Sequence, residues 1–157
     1  MNDTGTLRLI EEFLAIKRFA MVGVSRNGRD FSRRLYAEFL DRGYEVIPVN
    51  PFMQAVGDRK CFERVRDISP GVSSALLMTP SGVIEEVLQE CADAGINLAW
   101  IYGMNGEKKY GRSIEEARKK FGMKIIAGYC PYMFLPSASL FHRFHRAVWK
   151  FTGKYPS

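Results

Sequence analysis

FAMVGVSRNGRDFSRRLYAEFL, residues 19–40, decides how this chain is read. The apolar run 19–24 closes on Gly23 and is followed by Ser25. A polar loop containing Gly28 comes next, and then an amphipathic helical pattern. A strand, a glycine-containing turn and a helix in that order present backbone N–H groups and a helix N-terminus to a phosphate. Arg26, Arg29, Arg33 and Arg34 crowd the same segment and can bind phosphate bidentately. The stretch predicts a site for a phosphorylated, nucleotide-like ligand.

Working outward, apolar residues at helical spacing (Leu7, Ile10, Leu14) predict an opening helix over 6–16. The first strand is expected at 19–24. A helix follows over 31–42, with Leu35, Tyr36, Phe39 and Leu40 on its apolar face and Gly43 past its end. The second strand, 44–49, is broken by Asn50-Pro51. A loop of about ten residues and a short turn near Asp67 lead to the third strand at 74–78. Helices over 80–94 and 113–121 alternate with strands at 98–102 and 123–127. Pro80 suits the first turn of its helix and Gly95 the end. A last helix is expected over 137–151. Strands alternating with helices imply βαβ units and a parallel sheet. The nearly continuous apolarity of the strands implies helices on both faces. The expected fold is therefore α/β: a Rossmann-like, doubly wound sheet of five parallel strands in the order 3-2-1-4-5. It forms a single domain over 1–157, with a core at 17–130 and a basic, aromatic C-terminal helix.

Composition excludes several classes. A chain of 157 residues, 46% hydrophobic, is long enough to bury a core. No apolar run reaches the ~18 residues of a membrane span, and the N-terminus lacks a signal-peptide pattern. A cytoplasmic location is expected. Cys61, Cys91 and Cys130 make neither a CxxC pair nor a metal spacing, which suggests free thiols. The net charge of +6 is uneven, because residues 129–157 carry four basic side chains and no acidic one. The rest is nearly balanced, so a nucleic-acid partner is not expected.

The first turn is neither G-x-G-x-x-G nor a P-loop, since Arg29-Asp30 stands where Lys and Ser/Thr would be needed. Ser25 can donate to a phosphate. Asp30 or Ser32 can cap the following helix, and an Asp30 cap would partly offset an anion site. Binders of NAD place a carboxylate at the end of the second strand to hold the ribose 2′-hydroxyl. This chain has Pro48-Val49-Asn50-Pro51 there. The missing acid and the surplus arginine favour a ligand with a further phosphate on its ribose, and NADP and coenzyme A both qualify.

GVSRNGRDFSRRLYAEFLDRGYEVIPVNP resembles the start of the small CoA-binding domain family. GDRKCFERVRDI, LLMTPSG and AGINLAWIYG fit the same pattern, which covers residues 17–130. That family is similar to the N-terminal domain of the succinyl-CoA synthetase alpha subunit, and Gly128-Tyr129-Cys130-Pro131 looks like a variant of a motif near the end of its sheet. The resemblance implies CoA contacts at Gly23, Ser25, Arg26, Asn27 and Gly28. It implies more around Tyr102, Gly103 and Met104. Arg33, Asn50, Pro51, Pro80 and Cys130 complete the candidate set. The synthetase's lysine after strand two has no counterpart in Asn50-Pro51-Phe52-Met53-Gln54. The synthetase's phosphorylated histidine lies in another domain, and the only histidines here are His142 and His145. The resemblance thus implies binding of CoA or an acyl-CoA without the ligase reaction.

Cys130 is the best nucleophile candidate, though no base lies near it in sequence, and a small buried hydrophobe is the plainer account. His142 and His145 share a helix face but lack the further ligand a metal site needs. Leu140, Phe141, Phe144 and Val148 form an apolar stripe suited to packing on the sheet or on a second subunit. The expected protein binds CoA without turnover by the isolated chain, with a second copy or an acyl-CoA enzyme as partner. Two alternatives stand beside it. One is an NADP-linked oxidoreductase or redox-sensing nucleotide module. The other is a regulatory or structural partner of an acyl-CoA enzyme.

Overall fold

Along each central strand, successive side chains point to opposite faces, and both faces are apolar. Ala20, Val22, Ala75, Leu77, Ala99, Ile101, Ile125 and Ala127 belong to one buried cluster. The residues between them, Phe19, Met21, Leu76, Leu98, Trp100 and Ile126, belong to a second. A sheet with two apolar faces needs a helical layer on each. The computed structural model, which describes residues 3–103 and 106–135, supplies both.

Its elements run α1 (Asp3–Ala15), β1 (Arg18–Val22), α2 (Phe31–Asp41), β2 (Glu45–Val49), β3 (Ala55–Val56), β4 (Arg59–Lys60), β5 (Ser74–Leu77), α3 (Ile84–Asp93), β6 (Leu98–Ile101), α4 (Gly106–Phe121) and β7 (Lys124–Ala127). Helices α1 and α2 bury Ile10, Phe13, Leu35, Tyr36 and Phe39 in the cluster built on Trp100. Helices α3 and α4 bury Ile84, Leu88, Cys91, Tyr110, Ile114 and Ala117 on the other face. The fold is the expected Rossmann-like α/β sheet of five parallel strands.

The strand order differs from the expected one. It is β2-β1-β5-β6-β7, so the third main strand pairs with β1 rather than adding outside β2. Pro48 gives the reason. It has no N–H to donate and lies opposite Met21 in the β1–β2 register. Proline inside a strand is confined to an edge, and β2 is the edge. What shields that edge is the returning chain. Phe62 bridges Val49, its amide donates to the Pro48 carbonyl at 2.9 Å, and the Asn50 amide donates to the Phe62 carbonyl at 2.9 Å.

Other differences are local. The connection after β2 contains a two-residue hairpin, β3 with β4, where a loop was expected. The turn near Asp67 is a 3-10 turn over Val65–Asp67. The helix expected from Pro80 opens instead with a 3-10 turn, Ser81–Val83. Helix α4 begins two turns earlier than the sequence pattern suggests. Gly106 and Gly111 weaken its propensity, but Tyr110, Ile114 and Ala117 bury one face and hold it. Gly43 takes the left-handed conformation (φ +79°) expected just past α2. The helix expected over 137–151, with His142 and His145, lies outside the described residues. No helix among those described is long and apolar enough to cross a membrane.

Candidate functional site

The order β2-β1-β5 places the ends of three strands side by side. In open α/β sheets ligands bind outside the carboxyl ends, where strand order reverses. Here that is the join of β1 with β5. Short bonds tie the three ends together. The Met78 amide donates to the Val22 carbonyl at 2.8 Å, and the Gly23 amide to the Val49 carbonyl at 2.9 Å. Asn50 Nδ2 donates to the Val24 carbonyl at 2.9 Å, while Asn50 Oδ1 accepts from the Phe52 amide at 2.8 Å. Gly23 has φ +90°, and a Cβ there would lie 3.0 Å from the Met78 carbonyl carbon and oxygen. Only glycine lets β1 turn into its loop this close to β5.

The loop that follows is held largely by its own polar groups. The Ser25 amide donates to Ser32 Oγ at 2.9 Å, the Asn27 amide to Ser25 Oγ at 3.1 Å and the Arg29 amide to Asn27 Oδ1 at 3.0 Å. The Arg26 and Gly28 amides have no hydrogen-bond partner among the described residues. Asp30 is the N-cap of α2. Its Oδ1 accepts from the Ser32 amide at 2.8 Å and from the Ser32 hydroxyl at 2.6 Å. Those two bonds, the hydroxyl first, hold the Asp30 carboxyl below its usual range. Asp30 is therefore a fixed negative charge at the helix end that faces the site.

A cavity of about 850 Å³ opens over these strand ends. Of the candidate residues, Gly23, Ser25, Arg26, Asn27, Asn50, Pro51 and Pro80 line it. The others are placed elsewhere. Gly28 sits exposed on the loop and does not line the cavity. Arg33 points behind the loop, its Nη1 donating to the Ser25 carbonyl at 3.3 Å. Tyr102 stacks on Phe31 at 5.2 Å, and its neighbour Gly103 is likewise outside the lining. Met104 lies outside the described residues. Cys130 is buried in the cluster beneath α1 and α2. Burial pushes its thiol up, against the pull of the Tyr132 and Met133 amides. Burial likewise raises Cys61, and takes Cys91 to about 12. None of the three thiols is activated as a nucleophile. No cluster of metal-ligating side chains occurs among the described residues.

The sequence left much of the lining unread. Val83, Glu86, Val87 and Glu90 present one face of the 3-10 turn Ser81–Val83 and of α3 to the cavity. Their spacing is the ordinary helical one, but the stripe mixes valine with glutamate and does not stand out as apolar. Phe52 is 75% exposed, and Arg26 lies over its ring at 5.5 Å. Thr79 also lines the cavity, and its buried hydroxyl has no hydrogen-bond partner among the described residues. An open cleft with apolar lips, one arginine above a ring, free loop amides and an unpaired hydroxyl suits an aromatic, phosphorylated ligand with polar linkages.

Comparison with known proteins agrees. Residues 17–136 match the model of the CoA binding domain family. An ADP-forming acetate–CoA ligase II of Archaeoglobus fulgidus is 31% identical over 118 residues, covering 70% of this chain and 18% of the ligase. The alpha subunit of an ADP-forming acetate–CoA ligase II of Pyrococcus furiosus is 25% identical over 129 residues, 78% of this chain and 28% of the subunit. The chain thus spans less than a third of the length of these curated relatives. Among solved structures, a conserved hypothetical protein of Pyrococcus furiosus aligns with TM-score 0.63 at 27% identity, over 73% of this chain and 95% of that one. With strand ends, cavity and sequence match all falling within residues 17–136, the chain belongs to the CoA binding domain family.

Proposed function

We propose that this protein binds coenzyme A or an acyl-CoA in the cleft over β2, β1 and β5, without turnover by the chain alone. The observation that carries the reading is the cavity beside the Gly23–Asp30 loop, inside the segment that matches the family. Arg26, with its side chain and its unpaired backbone amide, suits the diphosphate. Phe52, Pro51 and Val83 offer apolar surface to the base. The Thr79 hydroxyl suits an amide of the pantetheine arm. The end of β2 carries Asn50, whose side chain is spent on the Val24 carbonyl and the Phe52 amide, which supports CoA over NAD.

A second role, as partner of an acyl-CoA enzyme, is favoured by one finding. The Pyrococcus furiosus relative is the alpha subunit of such a ligase and matches over a fraction of its length. Thermal unfolding with CoA, acetyl-CoA, NAD, NADP and ADP separates the readings. A ligand at 100 times its Kd stabilises by about 2.7 kcal/mol. A shift with CoA that shrinks in Arg26→Ala supports binding. A shift with NADP alone moves the case to the redox reading. No shift with any of them leaves the partner role.

A further inference from the structure

We propose that the cleft reads the adenosine and diphosphate of its ligand and gains nothing from a phosphate on the ribose, so that 3′-dephospho-CoA is held as well as CoA. The proposal rests on the CoA reading above and concerns which part of that ligand is recognised.

The charges around the cavity carry it. Two arginines, Arg26 and Arg64, line it against four carboxylates, Asp30, Glu63, Glu86 and Glu90. Arg26 lies over the Phe52 ring, on the loop side where a diphosphate would sit. Asp30 is held ionised by Ser32, and Glu90 Oε1 accepts from the Val65 amide at 3.0 Å. Glu63 and Glu86 are exposed, and their side chains make no hydrogen bond or ion pair among the described residues. Arg64 is therefore outnumbered by its neighbours. The arginines that made the loop look strongly basic in sequence turn elsewhere. Arg33 braces the Ser25 carbonyl, Arg34 lies over Phe31 at 5.8 Å, and Arg29 is exposed outside the lining. Among the described residues, a third phosphate entering this cleft meets more carboxylates than cations, and like charges repel.

A second observation places the base. Phe52 and Val83 are the large hydrophobic residues left exposed among those described, and both line this cleft. They follow β2 and β5, the two strands that flank β1. A flat aromatic base between such lips gains apolar contact on both sides. With the base there and the diphosphate at the loop, the ribose faces solvent and the acidic wall of α3.

The test is calorimetric titration of the whole chain with CoA and with 3′-dephospho-CoA, at low and at physiological salt. The proposal expects the two dissociation constants to agree within about threefold, or dephospho-CoA to bind tighter. A CoA advantage beyond that overturns it. The double variant Glu63→Gln with Glu86→Gln, both surface positions, should shift preference toward CoA by about threefold or more at low salt. An unchanged preference overturns the role given to these two residues. If neither ligand binds, the CoA reading itself has failed, a result distinct from a preference for CoA.

Discussion

Gly23 and Met78 face each other so closely that a single methyl group on Gly23 would stand 3.0 Å from the Met78 carbonyl carbon and oxygen. The obstacle is backbone, which cannot swing aside like a side chain. Gly23 also has φ +90°. Gly23→Ala should therefore cost about 2 kcal/mol or more, since such backbone strain is worth of order 1–3 kcal/mol. For a chain of this size that lowers Tm by roughly 4–8 °C. Thermal unfolding of the variant checks it. A Tm within a degree of the parent would show that β1 and β5 can separate without cost.

Asp30 makes stability depend on pH in a definite direction. Its carboxyl is lowered from 3.8 by the Ser32 hydroxyl and amide, so the charged form is the one favoured on folding. Its contribution is fully present above the unfolded value and is lost as pH falls through the lower folded value. Removing an N-cap costs about 1 kcal/mol. Asp30→Ala should show that loss at pH 7 and less of it as the pH drops below about 4. Asp30→Ser keeps a cap without the charge. It should hold stability near the parent's and bind CoA more tightly, because a negative charge leaves the anion site. Unfolding curves at both pH values, with one titration, check both statements.

Gly23 and Asp30 also mark what the sequence could and could not reveal. The 19–40 stretch was legible because strand, glycine and helix follow one another locally, and because an acidic cap has few alternatives. Pro48 carried the strand order as well. Its missing N–H places β2 at the edge, a signal outweighed by the habit of adding strands in sequence. The cavity wall was not legible, because Glu63 and the α3 residues Glu86 and Glu90 are far apart in sequence and their segments meet only in the fold, where the Val65 amide donates to Glu90. Nor was the fate of the arginines. Arg26 and Arg33 are both near Ser25 in sequence, yet one faces the cleft and the other braces the loop from behind. That difference is set by the turn, not by the residue type.

All three cysteines are buried, and burial raises each thiol. Thiolate is the reacting form. Ellman's reagent at pH 7 should therefore label the native chain slowly, and label three thiols only once denaturant is added. Rapid labelling of one equivalent in the native state, absent in Cys130→Ser, would restore Cys130 as a reactive group.

Phe52 offers the sharpest separation of binding from folding. Its ring is 75% exposed and held only by its loop and by Arg26, so Phe52→Ala removes little from the core. Exposed substitutions of this kind change stability by about 0.5 kcal/mol or less. Stacking of a base on an aromatic side chain is worth about 1–3 kcal/mol. The variant should thus unfold like the parent without ligand, while its Kd for CoA rises about fivefold or more. Arg26→Ala should weaken CoA too, but with a smaller salt dependence than the parent, since it removes charge as well as the ring's partner. If Phe52→Ala binds CoA unchanged while Arg26→Ala does not, the diphosphate is held at the loop and the base lies somewhere other than between Phe52 and Val83.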